Sequence, residues 1–294
     1  MSIKDSEVFQ KADDGGVFHW RPAAWLRVTG EDAATFLQGQ FTNDLREIGP
    51  DGAVYGLWLN HKGKVLADSF VMRATDGGFW VGSYFSEAAI IRERLESFVV
   101  ADDVVVEDAT GEWHGVAIFG EAPVAPAGVV CFRGRREAGT TGEWVFRAGQ
   151  EAAVCAQLAG RRECDVAETE RRRIAAGIPA VPMDIGPGEL PNEGGLETAA
   201  ISYTKGCYLG QEVMARLKTM GRVRRKLLRV RGDGDVPAMP AELAQGGRKI
   251  GEMRSVTKEN GGFIGLALVS LTNLRAEAPL ELITGGAVYL VEKP

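Results

Sequence analysis

The spacing of apolar positions changes several times along the chain, and each change marks an element. Trp25 to Val28, Ala53 to Asn60, Val65 to Arg73, Phe79 to Gly82 and Val104 to Glu107 are short runs rich in β-branched and aromatic residues. Runs of this length between turn residues predict strands. His61-Lys62-Gly63 separates the second from the third, so those two predict a hairpin, and Thr75-Asp76-Gly77-Gly78 is a further turn. Two stretches follow helical spacing instead: Asp32 to Gln40, with Ala33, Phe36 and Leu37 on one face, and Ser86 to Phe98, through Ala89, Ile90 and Leu95. Thr29-Gly30-Glu31-Asp32 supplies the polar, acidic start that a helix favours. Strands and helices mixed in this order predict an α+β fold with antiparallel pairing.

A second unit begins near Trp113. Val116 to Phe119, Val129 to Arg133 and Glu143 to Arg147 predict strands, and Gln150 to Ala159 and Glu163 to Ala175 predict helices. Pro123 and Pro126 make residues 121–128 a loop. Between Gly177 and Gly195, Pro179, Pro182, Pro187 and Pro191 exclude a regular helix or a central strand. Long irregular segments inside compact proteins are often functional, and this one leads to a cysteine loop. Beyond Gly221 the strands are short: Lys226 to Arg231, Arg248 to Met253, Phe263 to Val269, Glu281 to Ile283 and Ala287 to Val291. Asn260-Gly261-Gly262 and Thr284-Gly285-Gly286 are hairpin turns, and the set predicts a small antiparallel β-barrel. The pattern divides the chain into a first lobe over 1–110, a second lobe with the cysteine loop over 111–218, and a barrel over 219–294. The two lobes need not be continuous in sequence.

Composition adds limits. The chain has 294 residues, 45% hydrophobic and 25% charged, with a net charge of −6. Its length gives room for two or three compact units, and its makeup is that of a soluble globular protein. The negative charge argues against a protein that coats nucleic acid, and no direct nucleic-acid binding is expected. One local exception is Arg222, Arg224, Arg225, Lys226, Arg229 and Arg231. It reads either as the solvated side of a strand or as a rim that attracts an anionic ligand tail or partner. No apolar run reaches the roughly 20 residues of a membrane helix, and Met1 to Glu7 is polar, so no membrane association and a cytoplasmic location are expected. Cys131, Cys155, Cys164 and Cys207 form no Cys-x-x-Cys pair and have no histidine at ligand spacing. Neither a zinc site nor a self-contained iron–sulfur site is expected, no metal ligand is assigned, and reduced thiols are the default.

The candidate chemistry centres on Lys205-Gly206-Cys207-Tyr208-Leu209-Gly210-Gln211-Glu212. Glycines remove bulk around the thiol, Tyr208 offers a flat apolar face with a polar tip, and Lys205 offers a charge that favours a thiolate. The alternative is a glycine turn leading into a helix, with Cys207 as a small buried residue. Trp20, Trp25, Trp58, Trp80, Trp113 and Trp144 read mainly as core, and His61 and His114 as structural.

These eight residues resemble the Lys-Gly-Cys-Tyr/Phe-x-Gly-Gln-Glu signature of the YgfZ family, folate-binding proteins related to the glycine-cleavage T-protein (aminomethyltransferase). All seven specified positions are present. Weaker similarities follow in family order. They are Gly30-Glu31-Asp32-Ala33 with Phe36-Leu37-Gln38-Gly39-Gln40 and Thr42-Asn43-Asp44, Gly63 to Asp68, Arg173 to Pro179, and Leu190-Pro191-Asn192-Glu193. The resemblance implies a T-protein-like folate-binding fold of two mixed α+β lobes plus the C-terminal barrel.

It also implies tetrahydrofolate or another reduced folate as ligand. Asp68 matches the acid that T-proteins place near the folate's reacting nitrogen, and a carboxylate there accepts a hydrogen bond or a proton. Arg173 and Glu193 fall on recurring positions, either as pterin contacts or as structural ion pairs. Cys207 and Asp68 are the catalytic candidates, and Asp68, Arg173, Glu193, Lys205, Tyr208 and Gln211 the folate-binding ones. The cysteine signature, which the T-proteins lack, implies an accessory protein for assembly or repair of iron–sulfur enzymes, including tRNA-modifying ones. Its partners would be those enzymes or cluster-assembly proteins. The alternatives are a folate-dependent aminomethyltransferase and a scaffold that binds no folate.

Overall fold

Two five-stranded sheets, six α-helices and a closed six-stranded barrel are the main elements of the described part of the chain. The computed structural model describes residues 15–49, 52–272, 274–275 and 277–291. The polar N-terminal stretch read above lies outside them. In chain order the elements are β1 (Gly16–Trp20), β2 (Ala24–Thr29), α1 (Ala33–Gln40), β3 (Ala53–Leu59), β4 (Val65–Arg73), β5 (Phe79–Ser83), α2 (Ala88–Glu96) and β6 (Val105–Asp108). The second stretch holds β7 (Trp113–Phe119), β8 (Val130–Arg133), β9 (Thr141–Arg147), α3 (Glu151–Gln157), β10 (Arg162–Glu163), α4 (Val166–Ala175), α5 (Glu197–Ala200) and α6 (Gln211–Met220). The barrel holds β11 (Arg225–Asp233), β12 (Glu242–Gln245), β13 (Arg248–Glu259), β14 (Gly262–Ser270), β15 (Leu280–Leu282) and β16 (Ala287–Leu290).

The first sheet runs β3-β4-β5-β2-β6. Strands β3, β4 and β5 are buried at nearly every position because both faces are covered there. Successive side chains on a strand point to opposite faces, and here they enter two different cores. Leu26, Val28, Trp58, Ala67, Val71 and Val81 pack with Phe36 and Leu37 of α1 and Ile91 and Leu95 of α2. Trp25, Leu57, Leu59, Val65, Phe70 and Met72 pack on the other side with Trp113, Phe132 and Val145 of the second sheet. That opposite core also takes in Val181, Ile185, Tyr208 and Met214, so the Pro/Gly-rich segment and the cysteine loop lie over the same face.

The second sheet runs β10-β1-β7-β9-β8. Its strand β1 has no counterpart in the sequence reading. It pairs antiparallel with β7 and parallel with β10, so the first described strand joins the sheet built mainly by the second stretch. The helix expected from Glu163 starts later. The Asp165 carboxylate accepts the Glu168 backbone N–H at 2.7 Å as its cap, while Arg162 and Glu163 remain extended in β10. The barrel closes in the order β11-β14-β13-β12-β15-β16, with both expected glycine hairpins in place and β12 as an added sixth strand. Helix α4 docks on it through Ile174, against Ile264 and Leu266.

Candidate functional site

Asp68 sits in the middle of β4, only 5% exposed. It belongs to a closed set of hydroxyls. Ser83 and Ser86 each donate to its Oδ1 at 2.7 Å, and Tyr55 donates to its Oδ2 at 3.0 Å. The Asp68 backbone N–H donates in turn to Ser86 Oγ at 3.0 Å. The register explains the Tyr55 contact: Leu57 is directly opposite Asp68 and Tyr55 opposite Phe70, so Tyr55 is the diagonal neighbour on the same face. Burial pushes the Asp68 carboxyl above its ordinary range, against the pull of these hydroxyls and of Arg135. Burial, with the Asp68 charge, likewise raises the Tyr55 phenol far above its usual value.

A small pocket, partly open to solvent, lies over this set. Tyr55, Tyr84 and Phe85 give it aromatic walls, Asp68 its acid, and Arg135 and Arg173 its positive charge. The Arg135 guanidinium lies 4.2 Å from the centre of the Tyr55 ring. Tyr84 is fixed from behind, donating at 2.7 Å to the buried Glu143, which also accepts from Arg136 at 2.8 Å.

The pocket joins Asp68 and Arg173 but not the other candidates. Arg173 lines it with a guanidinium whose donors are already engaged. These run to both oxygens of Glu170, to the Ile178 carbonyl at 2.7 Å, to Asp184 at 2.6 Å and to Ser255 at 2.9 Å. It ties α4, the Pro/Gly-rich segment and β13 into one knot. Glu193 lies apart, at the seam with β11. It accepts from the Leu190 backbone N–H at 2.7 Å and from Arg225 at 3.0 Å. Both residues sit in ion pairs, the structural alternative weighed for them.

The cysteine loop lies at the turn of the β3–β4 hairpin. Gly210 caps α6 with φ +86°, and a Cβ there would stand 3.0 Å from the Asn60 carbonyl oxygen and 3.2 Å from Gly63 Cα. Gly63 has φ +69°, and a Cβ on it would stand 2.8 Å from Val213 Cβ. Each glycine thus makes room for the other element. Asp68 lies five residues beyond Gly63 on the same hairpin, so the start of α6 and the acid meet one hairpin at two different points.

Within the loop, Lys205 and Tyr208 turn inward. The Lys205 ammonium donates to the carbonyls of Gln38 at 2.6 Å, Phe41 at 2.5 Å and Asn43 at 3.0 Å. Its three donors are spent on backbone rather than on the thiol, and burial pulls its pKa down to about 8. The Tyr208 ring is buried, 5.2 Å beneath that ammonium, and its hydroxyl finds no partner among the described residues. Gln211 is half-buried at the first turn of α6. Cys207 is exposed, and a Cβ on Gly206 would meet nothing within 4 Å. Cys155 is exposed as well, Cys131 is half-buried and Cys164 is buried. Among the described residues, no group of three His, Cys, Asp or Glu side chains is placed to hold a metal ion. No described helix is long and apolar enough to cross a membrane.

Sequence reasoning missed Tyr55, Tyr84, Phe85 and Arg135. Only Tyr55 carried a usable signal, through the hairpin register.

Residues 3–126 match the family model of the GCVT N-terminal domain, and residues 224–294 that of the CAF17 C-terminal beta-barrel domain. The chain is 28% identical over 291 residues to the iron-sulfur cluster assembly factor IBA57, mitochondrial, of Homo sapiens, covering 90% of this chain and 80% of that protein. It is 28% identical over 237 residues to the tRNA-modifying protein YgfZ of Vibrio vulnificus, covering 77% of this chain and 73% of that one. The fold is similar to that of the glycine cleavage system aminomethyltransferase T from Bartonella henselae. The TM-score is 0.78 over 95% of this chain and 85% of that one, at 18% sequence identity. The chain therefore joins a GCVT N-terminal domain to a CAF17-type C-terminal β-barrel in an aminomethyltransferase-like fold.

Proposed function

We propose that this protein binds a reduced folate in the Asp68 pocket and acts as an accessory factor in the assembly or repair of iron–sulfur enzymes, tRNA-modifying enzymes among them. The observation that carries the reading is the contrast within the loop: Lys205 and Tyr208 are buried, while Cys207 stands exposed beside open Gly206. A loop held this firmly presents its thiol for chemistry rather than for packing. The relatives named as a cluster assembly factor and a tRNA-modifying protein support the client class. In the reducing cytoplasm such a thiol stays available for exchange or for a soft metal.

The chemical character of the pocket residues supports a folate as the ligand. A flat heteroaromatic ring suits the walls of Tyr55, Tyr84 and Phe85. Asp68, with a raised pKa, accepts hydrogen bonds from ring N–H and amino groups and holds or releases a proton at its carboxylate. Arg135 adds positive charge at the pocket for the anionic tail. A bound reduced folate supplies nitrogens that carry one-carbon units. Arg173 positions the wall, Glu193 secures the barrel seam, and Lys205 and Tyr208 hold the loop, with Gln211 at its edge.

The test is calorimetry with tetrahydrofolate and its 5-formyl derivative on the wild type, Asp68→Asn and Cys207→Ala. Both folates should bind wild type and Cys207→Ala alike, and Asp68→Asn should bind about tenfold more weakly, the loss of one charged hydrogen bond. Absence of heat and of thermal shift with both folates would leave only the scaffold reading. The aminomethyltransferase alternative rests on the fold. In a reconstituted glycine-cleavage assay the chain should show negligible turnover, and normal turnover would establish that alternative.

A further inference from the structure

The strongest feature outside the pocket is a charge asymmetry. Residues 213–232 contain eight arginines and lysines and no acid, so the rest of the chain holds 26 basic against 40 acidic side chains. Two of the eight are engaged at the fold's seams: Arg225 pairs with Glu193, and Arg229 donates to the Ala175 carbonyl. Arg216, Lys218, Arg222 and Arg224 are exposed. Arg216 makes only a long surface pair with Glu212, at 3.6 Å. Arg222 and Arg224 have no ion-pair partner among the described residues. Lys218 lies 4.2 Å over the ring of Tyr203, four residues before Cys207.

This strip reaches the cysteine loop through Lys218 on Tyr203 and continues past the end of α6 to Arg222 and Arg224, while Lys62 lies at the hairpin turn against which α6 starts. Lys62 is exposed at the hairpin turn, next to Gly63, which packs on the α6 start at Val213. At 3.8 Å per residue, Lys62 and Cys207 each begin within about 12 Å of the Gly63–Gly210 contact. Each exposed cation acts over a screening length of about 8 Å at physiological salt, so an extended acidic segment can meet them in turn along the strip.

We infer that Lys62, Arg216, Lys218, Arg222 and Arg224 form a docking surface for an acidic protein segment, which seats the partner's reacting group at Cys207. The inference goes beyond the proposed function and does not need folate. Two observations favour a protein over a nucleic acid. Single strands are held by stacking bases on free aromatic faces, yet Tyr203 lies under Lys218 and Tyr208 is buried. A long polyanion would also meet the negative excess of the rest of the chain, whereas a short acidic segment meets only the strip.

The test is fluorescence anisotropy of a labelled ten-residue poly-glutamate peptide with the full chain at low salt, with a ten-nucleotide RNA of mixed sequence run in parallel. The peptide should bind, lose at least tenfold in affinity in Lys218→Glu/Arg222→Glu/Arg224→Glu, and slow alkylation of Cys207. The control reversal Arg92→Glu/Arg133→Glu/Lys249→Glu, at exposed sites elsewhere, should bind as wild type. A milder Arg222→Gln/Arg224→Gln variant should lose about threefold, which guards against misfolding of the triple variant. No peptide binding, an equal loss in the control, or an RNA held more tightly through the same residues would overturn the inference. Folate titrations of the same variants keep its failure separate from failure of the pocket.

Discussion

Arg173 and Asp184 face each other at 2.6 Å, with side chains 4% and 0% exposed, where α4, the Pro/Gly-rich segment and the barrel meet. Asp184 also takes the Ala180 backbone N–H at 2.7 Å and the Ser255 hydroxyl at 2.5 Å. A buried pair of this kind is costly to halve, because the remaining charge has no water to turn to. Arg173→Met should lower stability by about 3–5 kcal/mol, read as a shifted urea midpoint. Restoring neutrality with Arg173→Met/Asp184→Leu should recover part of the loss; no recovery would show that the hydrogen bonds to Ala180 and Ser255 matter more than the charge.

Lys205 gives a prediction with a sign. Its ordinary pKa of 10.5 falls to about 8 in the folded chain. Between these values the unfolded chain holds a proton that the native chain has released, so this residue's contribution to stability rises with pH across that window. Lys205→Arg stays charged and should lack the rise, in urea midpoints taken at pH 7.5 and 10. Lys205→Met leaves three carbonyls without their donor and should cost at least about 2 kcal/mol, given about 1–3 for a buried group left unsatisfied.

Asp68 titrates in the other sense. Its folded pKa is raised by burial, so its contribution is full below the ordinary carboxylate range and is lost as pH rises through the folded value. Asp68→Asn should therefore be as stable as wild type or more so at pH 7, and less pH-dependent between 4 and 7. A strongly destabilised Asp68→Asn would mean that the ionised carboxylate holds Ser83 and Ser86 in place.

Thiol chemistry can be separated from exposure, because Cys155 and Cys207 are both exposed. Burial pushes the Cys164 thiol up, so Cys164 should be the last to react with iodoacetamide at pH 7.5. Cys207 should outpace Cys155. Cys207→Ser should keep its unfolding midpoint within about 0.5 kcal/mol yet fail to rescue a strain lacking its own YgfZ-type protein. A slow Cys207 together with an active serine variant would make the cysteine structural.

Much of the fold was legible because its signals are local. The β3–β4 hairpin, both barrel hairpins and helices α1 to α4 follow from turn residues and spacing. Strand β1 was not, since five residues that join a sheet more than ninety positions later leave no periodic mark. Strand β12, Glu-Leu-Ala-Gln, has no β-branched residue to announce it. The pocket shows the same limit. Asp68 was legible by resemblance, but Tyr84 and Arg135 reach it from separate loops. Burial also inverted the reading of Lys205: its position in the motif suggested a partner for sulfur, and the fold gives its donors to the backbone.

The same ammonium links the order of synthesis to the state of the thiol. Its acceptors are carbonyls of residues 38, 41 and 43, more than 160 positions earlier in the chain. Contacts of such long range form late, after the loop-closure entropy has been met. An emerging chain therefore cannot set its cysteine loop until the end of α1 has folded and is waiting for Lys205. A protein damaged near that helix end would lose the loop's anchor before its barrel was affected, so the presented thiol reports on the integrity of a segment laid down more than 160 residues earlier.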